Sequence, residues 1–154
     1  MHLDDFAKTL IARFPLGFVA TVTPDGRPHL SPKGTFLVLD DMTIAFAEIR
    51  SPDTMTNLAH HAMAEVNFID QWLRKGVRVR GPARVVAPGA EFDALIPKWR
   101  DVWGDLADRI NALVLITADE IKQITTPPYD DGVTEDAMIA LYLDKFAAIY
   151  PGAK

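Results

Sequence analysis

Cysteine is absent from the 154-residue sequence, and so are long hydrophobic runs. Without cysteine the chain has no disulfide bond, thiolate zinc site or cysteine nucleophile, which fits a reducing compartment. No apolar run approaches the roughly 20 residues that a membrane-spanning helix needs. The first five residues lack the basic start and apolar core of a signal peptide. We therefore expect a cytoplasmic protein without a membrane segment.

Positive charge is also scarce, because 16 Lys and Arg residues face 21 Asp and Glu residues and the net charge is −5. This balance argues against a general nucleic-acid binder. His60 and His61 would point about 100° apart on a helix, so they cannot easily share a metal ion, and we predict no metal site. Ser31 and Ser51 have no histidine partner at a recognisable spacing, so no catalytic residue can be assigned.

The length and composition are those of a single domain over residues 1–154. Amphipathic helices are predicted near 3–14, from Pro52, over 92–106 with Pro97 inside, and after Thr134, which is the predicted N-cap. Helical spacing gives the second and the last of these an inner face, formed by Met55, Leu58, Ala59 and Ala62 and by Met138, Leu141, Tyr142, Lys145, Phe146 and Ile149 respectively. Strand composition and turn signals predict about six strands, many of them joined by tight turns. They lie near 18–22, 27–39, 43–48, 64–69, 75–86 and 112–117, the last resuming at 121–124. This pattern favours a mainly β (α+β) antiparallel barrel with peripheral helices.

Residues 29–58 organise the chain, since they predict a strand, a tight turn, a return strand and a helix start. Ser51 is the predicted N-cap and Pro52 the first helical residue. Free N–H groups at that helix start, next to Arg50 and Ser51, favour an anion site. Gly34 lies inside the preceding strand, where it indicates either a β-bulge or a ligand packed against the backbone.

A cationic cluster follows at Arg74, Lys75, Arg78 and Arg80. Strand alternation places Val77 and Val79 on one face and Arg78 and Arg80 on the other. The cluster is either a solvated strand face or a site for an anionic ligand. Because the chain as a whole is acidic, this local positive charge favours an anionic ligand more than such a strand face usually does.

Several stretches resemble the pyridoxamine 5′-phosphate oxidase-like family, the FMN-binding split β-barrels. Residues 18–28 resemble its first hairpin, and residues 31–36 the strand whose backbone lies along the flavin ring. Residues 44–47, 50–52 and 57–58 resemble the strand and helix start that hold the FMN phosphate, and residues 77–83 a later strand that reaches the cofactor. Residues 129–135 look like the ending of one branch of small proteins. The order and spacing of these stretches carry the resemblance.

The resemblance implies a split antiparallel β-barrel of about six strands and a homodimer with FMN sites in the subunit interface. It implies an FMN-dependent oxidoreductase acting on an unidentified small molecule. Lys33 would lie beside the flavin ring, with the N–H groups of Gly34 and Thr35 on its polar edge. The phosphate would be held by the remaining cofactor-binding candidates, the basic ones acting within the subunit or across the dimer: Arg50, Ser51, Thr54, Arg74, Lys75, Arg78 and Arg80.

The sequence departs from the family at the helix start. Many flavin-binding members carry Lys or Arg three residues before Asn57, where this chain has Thr54 beside Asp53. Two alternatives therefore stay open: a non-catalytic flavin-binding protein for storage or sensing, or a related split barrel that uses deazaflavin or haem. A haem site would need an axial ligand such as His29, His60 or His61. Residues 129–154 do not resemble the tail of the genuine oxidase, so pyridoxamine phosphate oxidation itself is not expected.

Overall fold

The structure is a computed structural model that describes residues 2–152. Its strands are β1 Gly17–Val22, β2 Pro28–Lys33, β3 Leu37–Val38, β4 Thr43–Glu48, β5 Met63–Asp70, β6 Lys75–Val86, β7 Ala112–Thr117 and β8 Glu120–Ile124. Its α-helices are α1 Asp5–Arg13, α2 Pro52–His60, α3 Ala90–Trp103 and α4 Glu135–Ile149, with short 3-10 helices at Gly104–Arg109 and Pro127–Tyr129.

The strands form one antiparallel sheet in the order β2-β1-β5-β6-β7-β4-β3, and β8 pairs with β6 outside this path. The long β6 joins the two halves, because residues 75–82 pair with β5 and residues 83–86 pair with β7. The sheet curls, and its end strands β2 and β3 do not pair with each other among the described residues. The predicted mainly β, split antiparallel barrel with peripheral helices is confirmed.

Over the described residues the structure has eight strands where the sequence predicts about six, because two of the predicted strands are broken. The strand over 27–39 breaks at Thr35, whose hydroxyl donates to Ala47 O at 3.2 Å and accepts from Ala47 N at 3.0 Å. The strand over 112–124 breaks after Thr117, where the chain passes against Gly81 so closely that a Cβ there would collide with Thr117 O. Asp119 N then donates to Arg80 O at 2.8 Å, which leads the chain back along β6 as β8.

Two apolar clusters hold the sheet together. Inside the curl, beneath α1, the ring of Phe36 packs on Phe68 at 4.8 Å and on Phe46 at 5.3 Å between centroids. On the opposite side of β4 and β7, the completely buried Trp99 of α3 fills the second cluster. α3 therefore covers one outer surface of the sheet, while exposed apolar side chains remain outward on β1 and β2.

In the described chain, two helices begin with a side-chain cap, of which the one at Thr134 was predicted and the one at Asp4 was not. The N-cap Asp4 of α1 accepts from Ala7 N at 2.8 Å, and the predicted N-cap Thr134 of α4 accepts from Ala137 N at 3.2 Å. Ser51 is the N-cap residue of α2 and Pro52 its first residue, as predicted, but the Ser51 side chain makes no capping hydrogen bond. Its hydroxyl instead donates to the buried Glu48, with 3.4 Å between Ser51 Oγ and Glu48 Oε1.

The buried faces of α2 and α4 differ from the predicted ones. Ala59 and Ala62 are exposed, and α2 instead buries Thr54, Asn57 and Leu58. A buried hydrogen bond explains this orientation of α2. Asn57 Nδ2 donates to the buried Thr21 Oγ1 at 3.0 Å, which turns that side of α2 toward β1. In α4 only Met138 is fully buried, and the predicted inner residues Leu141 and Ile149 are exposed. Within residues 2–152, no helix combines the length and hydrophobicity that crossing a bilayer requires.

Candidate functional site

A polar pocket of about 300 Å³ lies where β2 ends and where β4 meets α2. Lys33, Gly34 and Thr35 form one wall, and Arg50 and Ser51 form the other. These are five of the residues that the sequence assigned to cofactor binding, and they come together because the segment after β2 runs beside the end of β4. We call this the Lys33–Arg50 pocket.

The first wall is held from behind by two neighbouring elements. The Thr35 hydroxyl is bonded to the backbone of Ala47 on β4, and Trp99 Nε1 of α3 donates to Thr35 O at 2.9 Å. A Cβ at Gly34 would meet no atom within 4 Å, so glycine leaves this side of the pocket open. Within residues 2–152, nothing accepts a hydrogen bond from the N–H groups of Gly34 or Thr35. The wall therefore offers backbone donors to a ligand.

Lys33 is a buried cation rather than a solvated strand residue. It is only 8% exposed, and its Nζ donates to Ser31 Oγ at 2.7 Å. Burial lowers the pKa of Lys33, and the nearby Glu48 carboxylate partly opposes that shift. The Glu48 carboxylate is itself buried and accepts from Ser51 N at 2.8 Å. Lys33 thus brings to the pocket an ammonium group that has little access to water.

The start of α2 carries an unsatisfied polar group. Thr54 is 1% exposed, and its Oγ1 has no hydrogen-bond partner among the described residues. Leaving a buried hydroxyl unpaired costs on the order of 1–3 kcal/mol, so such groups mark places for a ligand or an ordered water. Because Ser51 does not cap α2, the N–H groups of its first turn also lack a side-chain acceptor.

Arg109 also lines the pocket, and the sequence gave no indication of it. It ends the short helix before β7, and β7 pairs with β4 in a register that sets Ala112 opposite Glu48. Asn111 fastens the two segments, since its N–H donates to Glu48 O at 2.8 Å and its Nδ2 donates to Ile49 O at 2.9 Å. Only knowledge that β4 pairs with β7 would have placed Arg109 beside Arg50.

Arg74 and Lys75 lie elsewhere, at the end of the β5–β6 hairpin. The Arg74 guanidinium lies over the Tyr142 ring, 4.8 Å from its centroid. The Lys75 ammonium lies 4.3 Å from the centroid of Tyr129 and pairs with Glu135 at 2.6 Å. Both cations therefore hold the C-terminal segment against the hairpin, and neither lines the Lys33–Arg50 pocket.

Arg78 and Arg80 project from the opposite side of β6 to Val77 and Val79, which are completely buried, as the alternation predicted. Arg78 Nε lies 3.3 Å from Glu65 Oε1, and the Arg80 guanidinium lies 3.0 Å from Glu120. Arg80 also borders a second, more apolar pocket of about 380 Å³. Neither arginine lines the Lys33–Arg50 pocket.

The strand register gathers these outward residues into two rows. One row runs from Leu30 on β2 through Ala20, Glu65 and Arg80 to Glu120 on β8, and the other runs through Pro32, Phe18, Asn67, Arg78 and Lys122. We call these rows the outer sheet face. Its β1–β2 half is apolar and its β5–β6–β8 half is charged. Leu30 is 65% exposed and Phe18 is 39% exposed, so the apolar half lacks a cover within the described chain.

Comparison with known proteins gives a family match and a consistent set of folds. A family model described as pyridoxamine 5′-phosphate oxidase matches residues 3–127. No curated protein sequence matches the chain. The crystal structure of HupZ from Group A Streptococcus is similar with 27% identity and a TM-score of 0.70, over 80% of this chain and 94% of that one.

Two further crystal structures share the fold. A putative pyridoxamine 5′-phosphate oxidase from Lactobacillus delbrueckii has 23% identity and a TM-score of 0.68, over 79% of this chain and 93% of that one. An FMN-binding protein from Syntrophomonas wolfei has 18% identity and a TM-score of 0.64, over 78% of this chain and 84% of that one.

Proposed function

The chain belongs to the pyridoxamine 5′-phosphate oxidase family, and from that membership we propose that it is an FMN-dependent oxidoreductase acting on a small molecule. The observation that carries the proposal is the Lys33–Arg50 pocket, which joins five sequence-assigned residues in one polar cavity. FMN, when bound, would supply the electron-transfer chemistry, and the chain would bind and orient it.

The residues of the pocket fit a flavin mononucleotide. The N–H groups of Gly34 and Thr35 are donors without acceptors, as the polar edge of a flavin ring requires. Lys33 adds a buried cation that would stabilise negative charge at that edge. Arg50 and Ser51, which line the pocket, would hold the phosphate together with the first turn of α2. Thr54 lies in that turn with its hydroxyl unpaired among the described residues, but it does not itself line the pocket.

We further propose that the protein acts as a homodimer and that the partner completes the cofactor site. Ligand pockets span about 300–1,000 Å³, so a pocket of about 300 Å³ is small for a flavin. The outer sheet face has an exposed apolar half, the kind of surface that a symmetric interface buries. Arg78 and Arg80 lie in the same rows, so such an interface would carry them toward the partner.

The first test is the absorption spectrum of the purified protein, recorded before and after FMN is added and the sample is desalted. A retained flavin spectrum that bleaches with a nicotinamide donor supports the oxidoreductase. Retained FMN that no donor reduces would favour a non-catalytic flavin binder. Protein that releases all added FMN would contradict the proposal, and deazaflavin and haem would then be titrated in its place.

A further inference from the structure

Three cations converge on the Lys33–Arg50 pocket, and the nearby Glu48 carboxylate acts on Lys33 without forming an ion pair with it. Lys33, Arg50 and Arg109 line it together, and none of them forms an ion pair with a carboxylate of residues 2–152. Most other arginines of the described chain do form such pairs, among them Arg78, Arg80, Arg84 and Arg100. In a chain of net charge −5, unpaired cations in one cavity mark a place for an anion.

Arg109 stands on an anchored segment. Both hydrogen bonds of Asn111 fasten the residues just before β7 to the residues just after β4. Arg100 pairs with Asp108 at 2.6 Å and ties α3 to the same short helix. These contacts fix the backbone from which Arg109 extends toward the pocket, so part of the cost of ordering the binding site is met before a ligand arrives.

We propose that Arg109 is an anion-binding residue and that, with Arg50 and Ser51, it forms a site for a phosphate monoester. The two guanidinium groups supply the forked, charge-assisted donors that a phosphate accepts. This pair of arginines lies outside the first turn of α2, where Asp53 and Thr54 supply no cation. The phosphate would belong either to a flavin mononucleotide or to a phosphorylated substrate. Either molecule would bind its phosphate through the same residues.

Titration of the full-length protein with inorganic phosphate at constant ionic strength tests the site. Backbone amide NMR signals of Gly34 and Ser51 should shift and saturate, and Arg109→Gln should weaken phosphate affinity about tenfold. Arg50→Gln should weaken it similarly from the other wall. Lys98→Gln is the matched control, because Lys98 is exposed on α3 and borders a different groove. No saturable shift in the wild type, or equal affinities in the wild type and Arg109→Gln, would overturn the proposal.

A second arm separates the two sources of phosphate and keeps the flavin hypothesis distinct. If FMN blocks phosphate binding, and Arg109→Gln weakens FMN but not riboflavin, the site takes the cofactor phosphate. If FMN-loaded protein still binds phosphate, the site takes the anionic group of a substrate. If the wild type binds phosphate but no FMN, the proposed cofactor fails while the anion site stands. Equal weakening of FMN and riboflavin by Arg109→Gln, with phosphate binding intact, would show that Arg109 is structural and would overturn its anion-binding role.

Discussion

Burial of the Lys33 ammonium group destabilises the folded chain by an amount that depends on pH. Its pKa in the folded chain lies below the ordinary value of 10.5, because burial disfavours the ammonium form. Below the folded-state pKa the desolvation cost is fully present, and above 10.5, where both states are neutral, it disappears. We therefore expect Lys33→Met to raise the melting temperature at pH 7, by an amount that shrinks as the pH passes 10.5. Thermal unfolding at pH 7 and at a pH above 10.5 measures this, with Lys98→Met as the exposed control. A less stable Lys33→Met protein at pH 7 would contradict it.

Thr54 tests whether the start of α2 is built for a ligand. Its buried Oγ1 is unpaired among the described residues, so Thr54→Val should stabilise the ligand-free protein by about 1 kcal/mol. If that hydroxyl contacts the phosphate, the same change should weaken FMN binding. Urea unfolding and FMN titration measure the two effects. Thr21→Val is the control of opposite sign, because Thr21 Oγ1 accepts from Asn57 and its loss should destabilise the fold. Unchanged FMN affinity in Thr54→Val would remove Thr54 from the site.

At the scale of elements, α3 supports the wall of the Lys33–Arg50 pocket from behind. Trp99 is completely buried, and its Nε1 donates to Thr35 O, which fixes the wall that contains Gly34. Trp99→Phe keeps an aromatic ring but leaves a cavity and an unpaired carbonyl, so we expect a loss of about 1–3 kcal/mol in the free energy of unfolding. Chemical denaturation measures it. Trp103→Phe, a change at the half-buried end of α3, should cost less. Similar losses of unfolding free energy in both variants would argue against a supporting role of the Trp99 hydrogen bond.

The elements that could be predicted from the sequence are those set by local interactions. The strand β4 and the cap at Thr134 follow from composition and neighbouring residues. The family resemblance assigned residues 33–35 and residues 50–51 to one cofactor site, and the structure brings both groups into one pocket. The position of Arg109 could not be predicted, because it depends on the pairing of β4 with β7, which are more than sixty residues apart in the chain. The breaks at Thr35 and Thr117 likewise depend on distant partners.

At the scale of the whole molecule, the outer sheet face is the surface on which the proposed dimer would form. Its apolar half on β1 and β2 lies next to a charged half in which Arg78 and Arg80 are already paired with carboxylates. Such a surface combines an apolar core with a polar rim, as protein interfaces do. We therefore expect the wild-type protein to sediment as a dimer at micromolar concentration.

A single charge placed in the apolar half should abolish that dimer. Leu30 is 65% exposed on β2, so Leu30→Glu should leave the subunit folded while placing an unpaired carboxylate in the interface, at a cost of several kcal/mol. Val102→Glu is the matched control, because Val102 is 58% exposed but lies on α3, away from the outer sheet face. Sedimentation should find Leu30→Glu monomeric and Val102→Glu dimeric, with similar circular dichroism. Because the partner is proposed to complete the site, Leu30→Glu should also lose FMN on desalting. A monomeric wild type, or dimers that survive Leu30→Glu, would move the interface to another surface.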